Sequence, residues 1–278
     1  MATDPVASPV AGADRIGAAF ARAREQGRAA LMPYLMGGFP DRETADAVAE
    51  AYVDAGADLV ELGVPFSDPL ADGPVIHAAA TTALAGGATL ERVLETCAAI
   101  AERVPVVPMC YANMVLATGP REYADRLAAA GAAGTIVPDL PPEEAAGVRE
   151  QLGRHGLALV ALVAPTTPPE RRRSICEHAE GFVYVVSVAG VTGERAELPP
   201  ELGELVAAVR AEAAVPAAVG FGVGTPEQVA AVGELADGVI VGTRLVRAVG
   251  EAGDPESAAA AVAGFIRESL AAMGSENE

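Results

Sequence analysis

Eight short apolar runs, separated by stretches of helical periodicity, constrain this chain more than any other feature. They are ALMPYLM from Ala30, DLVELG from Asp58, PVVPMCY from Pro105, TIVPDL from Thr135, ALVALVA from Ala158, FVYVVS from Phe182, PAAVGFG from Pro216 and GVIVG from Gly238. Continuous apolar runs of this length suit strands buried on both faces, as a parallel sheet covered by helices requires. The segments between them supply the covering helices. In the first, Asp41 can cap, Val48, Ala51, Tyr52 and Ala55 recur at helical spacing, and Gly56 ends the run. Strand and helix in alternation read as βαβ units. Eight such units predict an α/β chain closed into a single (β/α)8 TIM barrel, with an open doubly wound sheet as the rival on pattern alone. An extra N-terminal helix over residues 14–27 would cover the barrel floor. The spacings 58–105 and 182–216 are long, so enlarged loops should follow strands 2 and 6. Those loops fall on the C-terminal face, where such barrels keep their chemistry. The expected organisation is a loose tail over 1–13, a catalytic barrel over 14–273 and a short tail over 274–278.

Composition narrows the chemistry. Hydrophobic residues make up 51% of the chain and charged residues 21%, which supplies a large core and excludes a disordered chain. Aromatic residues are only 4% and Trp is absent, so Ala, Val and Leu must do most of the packing. A net charge of −19 disfavours nucleic acid and anionic lipid as partners. A small anion could still be held locally by backbone amides. All 19 basic residues are Arg. With no Lys, neither a Schiff-base mechanism nor a phosphate-loop lysine is available. Cys97, Cys110 and Cys176 lack the spacing of a zinc site or a disulfide framework and fit reduced thiols in a cytoplasmic protein. No signal-peptide pattern and no apolar run of membrane-spanning length is present.

Three segments could carry chemistry. The densest is ELGVPFSDPLADGP, residues 61–74. Glu61 falls at the C-terminal end of strand 2, where it would point into the barrel mouth. It could be a satisfied carboxylate at a strand end, but a Glu in an apolar mouth must be paired or have its pKa raised, and both suit acid–base work. Asp72, alone, reads as a turn residue in Asp-Gly-Pro. Beside Glu61 it makes a pair of carboxylates with split roles. The second segment, VYVVSVAGVTGE, places Tyr184 in strand 6 and ends in a Gly-rich loop, either a turn or a lid. The third is a pair, GFGVGTPEQ after strand 7 and VGTRLV after strand 8, in the order of the recurrent phosphate site of these barrels. Gly222, Gly224 and Gly242 would let amides approach an anion and Thr243 could add a hydroxyl. Arg244 could add charge, though a surface helix residue is the simpler reading. His77, His155 and His178 do not end any strand, so a His-ligated metal site is not expected.

The segment over 61–74 resembles the signature of the tryptophan synthase α-subunit family. The likeness continues in order through PYLMGGFPD at Pro33, MCYANMV at Met109, VPDLPPEE at Val137, SVAGVTGE at Ser187, GFGV at Gly220 and DGVIVGTRLV at Asp237. The resemblance implies retro-aldol cleavage of indole-3-glycerol phosphate to indole and glyceraldehyde 3-phosphate. It implies Glu61 as the acid–base residue and Asp72 as the carboxylate that stabilises charge on the indole nitrogen. Tyr111 and Tyr184 would line the active site. Tyr34, Met109 and Phe221 would contact the indole. Gly193, Gly222, Gly242 and Thr243 would form the phosphate cradle, with Thr192 orienting Asp72 as the strand-6 loop closes. The resemblance implies no cofactor on this chain, a partner β subunit carrying pyridoxal phosphate in an α2β2 complex, and a partner face formed by Asp139 and the loop over 65–74. Met36 and Val188 depart from the commonest family pattern. A stand-alone lyase, another phosphate-binding barrel enzyme and a non-catalytic module remain the alternatives. Without lysine, the electron sink for aldol cleavage must be the substrate itself, and protonation of the indole ring provides one.

Overall fold

The computed structural model describes residues 11–186, 201–220 and 222–274. Eight strands pair in sequence order, each parallel to the next: β1 (Ala30–Met36), β2 (Val60–Gly63), β3 (Val106–Met109), β4 (Gly134–Ile136), β5 (Ala158–Val163), β6 (Val183–Val186), β7 (Ala217–Gly220) and β8 (Gly238–Val241). β8 pairs with β1, so the sheet closes into the expected barrel. The helices that precede and cover β1 to β4 are α1 (Gly12–Glu25), α2 (Arg42–Asp54), α3 (Pro74–Ala85), α4 (Leu90–Ile100), α5 (Ala112–Thr118) and α6 (Pro120–Ala129). Those that follow are α7 (Ala146–Gly153), α8 (Pro169–Glu177), α9 (Glu201–Glu212), α10 (Pro226–Gly233), α11 (Thr243–Glu251) and α12 (Pro255–Gly274). The long spacing after β2 holds a loop over 64–73 and two helices, α3 and α4.

Local chemistry explains the elements. Asp41 accepts from the Thr44 amide and opens α2, and Gly56 at φ +99° turns the chain after it. Along each strand the side chains sort with a period of two. In β1, Leu31 and Leu35 face the outer layer under the helices, while Ala30 and Met32 face the barrel interior with Tyr34 and Met36 above them. The same alternation sends Leu59, Val107, Val160, Phe182, Ala218 and Ile240 inward. The floor is closed by α1, whose Ile16, Ala19, Phe20 and Ala23 join that interior cluster. With so few aromatics, one stack runs from floor to mouth: Phe20 lies 5.9 Å from Phe182, and Phe182 lies 6.4 Å from Tyr184. α1 starts at Gly12, earlier than Asp14. A Cβ at Gly12 would stand 2.2 Å from the Ala133 carbonyl oxygen, and the Ala13 amide donates to the Gly156 carbonyl. Packing against the barrel, rather than the acidic residue, sets that start.

The N-terminal ends of the strands are held by acids. Asp58 accepts from the Leu31 amide, Glu180 from the Leu159 amide and Asp237 from the Ala217 amide, each tying the entry of one strand to the strand before it. Asp58 also pairs with Arg28 at 2.5 Å, and the two side chains are 9% and 11% exposed. Asp58→Ala strips the partner from both Arg28 and the Leu31 amide. A loss of about 3 kcal/mol is expected, read as a melting temperature roughly 5–10 °C lower. An unchanged thermal denaturation curve would refute the staple.

Candidate active site

The mouth of the barrel is where the interior turns from apolar to polar. In β2 the period of two that buries Leu59 turns Glu61 inward, paired in register with Tyr34 of β1 and Val107 of β3. Glu61 is 5% exposed, and its Oε2 has no hydrogen-bond partner among the described residues. Burial pushes its carboxyl up to about 8, with the charge of Asp72 adding to the shift. With its carboxyl raised to about 8, Glu61 favours the protonated form at neutral pH and sits as an acid at the mouth. Tyr34 and Tyr184 flank it; burial raises the pKa of both, with the charges of Asp72 and then Glu61 adding to the rise at Tyr34 and that of Glu61 at Tyr184.

Asp72 lies in the loop after β2, half-buried. Its Oδ1 accepts from the Tyr111 hydroxyl at 3.0 Å, and the same phenol oxygen accepts from the Ala71 amide at 3.1 Å. Phe66 stacks beside Tyr111 at 5.3 Å, so one side chain after β3 organises the β2 loop. Burial raises the Asp72 carboxyl above its ordinary value, while the Tyr111 hydrogen bond and the nearby His77 pull it down. Both carboxyls of this one site are raised by burial, but at Asp72 the Tyr111 hydrogen bond and His77 oppose the rise, whereas at Glu61 the Asp72 charge adds to it.

Two glycines seat the mouth tyrosines. A Cβ at Gly63 would lie 2.0 Å from the Tyr34 Oη, and one at Gly220 would lie 2.5 Å from the Tyr184 Oη. Each phenol therefore crosses the bare backbone of the neighbouring strand. Neither glycine stood out in the sequence as a site residue, although a Gly closing each of two apolar strands was a visible signal. The Tyr34 hydroxyl has the Met36 sulfur 3.9 Å away, and Met36 is 2% exposed. Met109 ends β3 next to Gly63, half-buried between the barrel interior and the Tyr34 cluster.

Gly220 and Ile240 are paired across β7 and β8, so the loops that begin at Gly222 and Gly242 leave the barrel side by side. Gly222 takes φ +70°, and Gly242 precedes the first turn of α11. Thr243 opens that helix and is 4% exposed. A helix N-terminus between two glycine turns presents amide groups to an anion. Gly224 is a correction to the sequence reading, because its amide donates to Gln228 Oε1 at 2.8 Å and serves the loop. Arg244 lies over the Phe265 ring at 5.5 Å, the surface role that the sequence favoured. Thr192, Gly193, Phe221 and Val188 lie outside the described residues. His155 and His178 fall just past the ends of α7 and α8, beyond the helices themselves. Among the described residues no group of three His, Cys, Asp or Glu could hold a metal ion. No described helix is long and apolar enough to cross a membrane.

Comparison with known proteins gives one answer. The family model described as tryptophan synthase alpha chain matches residues 20–273. The tryptophan synthase alpha chain of Roseiflexus castenholzii is 48% identical over 256 residues, covering 91% of this chain and 98% of that relative. The corresponding chain of Chloroflexus aggregans is 45% identical over 262 residues, covering 93% and 98%. Among solved structures, a chain of Mycobacterium tuberculosis tryptophan synthase superposes with a TM-score of 0.86 at 39% identity, covering 93% of this chain and 98% of that one. The tryptophan synthase subunit alpha of Legionella pneumophila gives 0.84 at 38% identity, covering 93% and 98%.

Proposed function

The chain belongs to the tryptophan synthase alpha chain family, a lyase subunit, and on that premise we propose that Glu61 and Asp72 carry out its cleavage of indole-3-glycerol phosphate. One observation supports the assignment above the rest: a buried acid protonated at neutral pH faces a second carboxylate anchored by a phenol. Glu61 delivers its proton to C3 of the indole ring, and the positive charge appears on the ring nitrogen. Asp72, ionised, stabilises that N–H cation. The Glu61 carboxylate then takes the proton of the C3′ hydroxyl. The C3–C3′ bond breaks, its electron pair returns to the ring as indole, and C3′ leaves as the aldehyde of glyceraldehyde 3-phosphate. One carboxyl gives a proton and recovers one, so the cycle closes without a lysine or an external base. The phosphate would rest on the amides about Gly222, Gly242 and Thr243, joined by Gly193. Tyr34, Met109, Tyr111, Tyr184 and Phe221 would enclose the indole, and Thr192 would help to aim Asp72.

In this reading pyridoxal phosphate belongs to the partner β subunit of an α2β2 complex, and this chain has no lysine amine with which to anchor it. Leu70 and Leu116 are the exposed large hydrophobics of the described residues, at 77% and 62%, and both extend from the mouth-side segments that Tyr111 ties together. That apolar pair fits a partner surface. Cys97, Cys110 and Cys176 are buried and unbridged, which suits a cytoplasmic setting. The test is indole release from indole-3-glycerol phosphate with and without a β subunit. Stimulation by the partner is expected, and Leu116→Asp should cut that stimulation about tenfold while leaving the unassisted rate alone. A chain that releases no indole under either condition would overturn the function. A full response in Leu116→Asp would overturn the interface.

A further inference from the structure

Asp139 is the residue through which the loop after β4 reaches the catalytic carboxylate. The sequence placed it only on a partner face. In the structure its Oδ1 accepts from the Ala112 amide at 2.7 Å, the first residue of α5. The residue capping that helix is Tyr111, which has no side-chain bond of its own to the helix start and instead holds Asp72. Three bonds of ordinary length thus connect three loops: Asp139 to the α5 amide, then the Tyr111 phenol to Asp72 and to the Ala71 amide. A carboxylate on the first amides of a helix both satisfies a donor and opposes the helix dipole, so the link fixes where α5 begins. The side chain of the capping residue is aimed by that start.

We propose that Asp139 is a positioning residue for the cleavage reaction, setting the placement of Asp72 through the α5 cap and Tyr111. The inference rests on the proposed role of Asp72 and adds a residue with no contact to substrate. Asp72 is faced by Tyr111, His77, Glu61 and Tyr34, and only the Tyr111 bond depends on where α5 starts. When Asp139 is lost, Tyr111 shifts and the bond that draws the Asp72 proton off weakens. Asp72 then titrates at higher pH, and the acid limb of the rate profile moves up.

The experiment is a pH profile of kcat and KM for indole release by the isolated chain. The variants are Asp139→Ala, Asp139→Asn, Tyr111→Phe, the Asp139→Ala/Tyr111→Phe double variant and Asp72→Asn. In Asp139→Ala, kcat should fall about tenfold with little change in KM, and the acid limb should move to higher pH. Asp139→Asn keeps an oxygen that accepts from the Ala112 amide and should restore both. The double variant should be no worse than Tyr111→Phe alone, because the two changes break one chain of contacts. An acid limb that stays put in Asp139→Ala, a failure of Asn to rescue, or losses that multiply would each remove the inference. Asp72→Asn separates the two layers: full release there removes the role of Asp72 and this inference together. A crippled Asp72→Asn beside a normal Asp139→Ala removes the inference alone.

Discussion

Glu61→Gln is expected to release indole at about a thousandth of the parent rate while folding normally. The amide fits the same space but cannot give a proton to the ring or take one from the hydroxyl, so both proton transfers are lost at once. The stability readout moves in the other direction. The Glu61 carboxyl has an ordinary value of 4.5 and is pushed up to about 8 in the folded chain. A carboxyl whose pKa rises on folding holds its proton more tightly when folded, so folding is favoured at low pH. That advantage is lost as pH climbs from about 4.5 to about 8. Glu61→Gln removes this titration, so its melting temperature relative to the parent should increase across that window. Rate profiles provide the third check. The reaction begins with protonated Glu61, so kcat/KM of the parent should fall as pH rises through about 8. Near-parent release by the Gln variant, or a parent profile flat through that pH, would dismiss Glu61 as the acid.

Asp72→Asn is expected to lower indole release about a hundredfold. The substitution keeps an oxygen for the Tyr111 hydroxyl, so the loop remains anchored and the loss reports charge alone. A second effect follows from the coupling of the pair. The Asp72 charge adds to the raised pKa of Glu61, so removing it should move the alkaline limb to lower pH. A hundredfold loss with an unmoved alkaline limb would break the electrostatic link between them. Full activity would exclude Asp72 from the chemistry.

The barrel was legible because its strands are continuous apolar runs, and every run overlaps one observed strand. Boundaries were less so. Of TIVPDL only Thr135 and Ile136 lie in a strand, which begins one residue earlier at Gly134, and Pro138 has no amide with which to continue a ladder. Glu61 was legible from its place at the end of a strand, and Asp72 from its loop. What the sequence could not reveal were bonds across long separations. Tyr111 meets Asp72 across 39 positions and Asp139 meets Ala112 across 27, and no local pattern encodes either meeting. Gly224 misled because a glycine cluster announces exposed amides without saying which of them a neighbour such as Gln228 will occupy.

The aperture of this enzyme is set by atoms that are missing. Tyr34 and Tyr184 can lie flat against the wall only where Gly63 and Gly220 present no side chain. A single methyl would stand 2.0 Å from the Tyr34 hydroxyl oxygen at Gly63, or 2.5 Å from that of Tyr184 at Gly220, and would force the ring from its seat. The seating of both phenol rings is thereby governed by two backbone positions that carry no side chain. Reshaping the entrance for a bulkier or slimmer aromatic would begin with them.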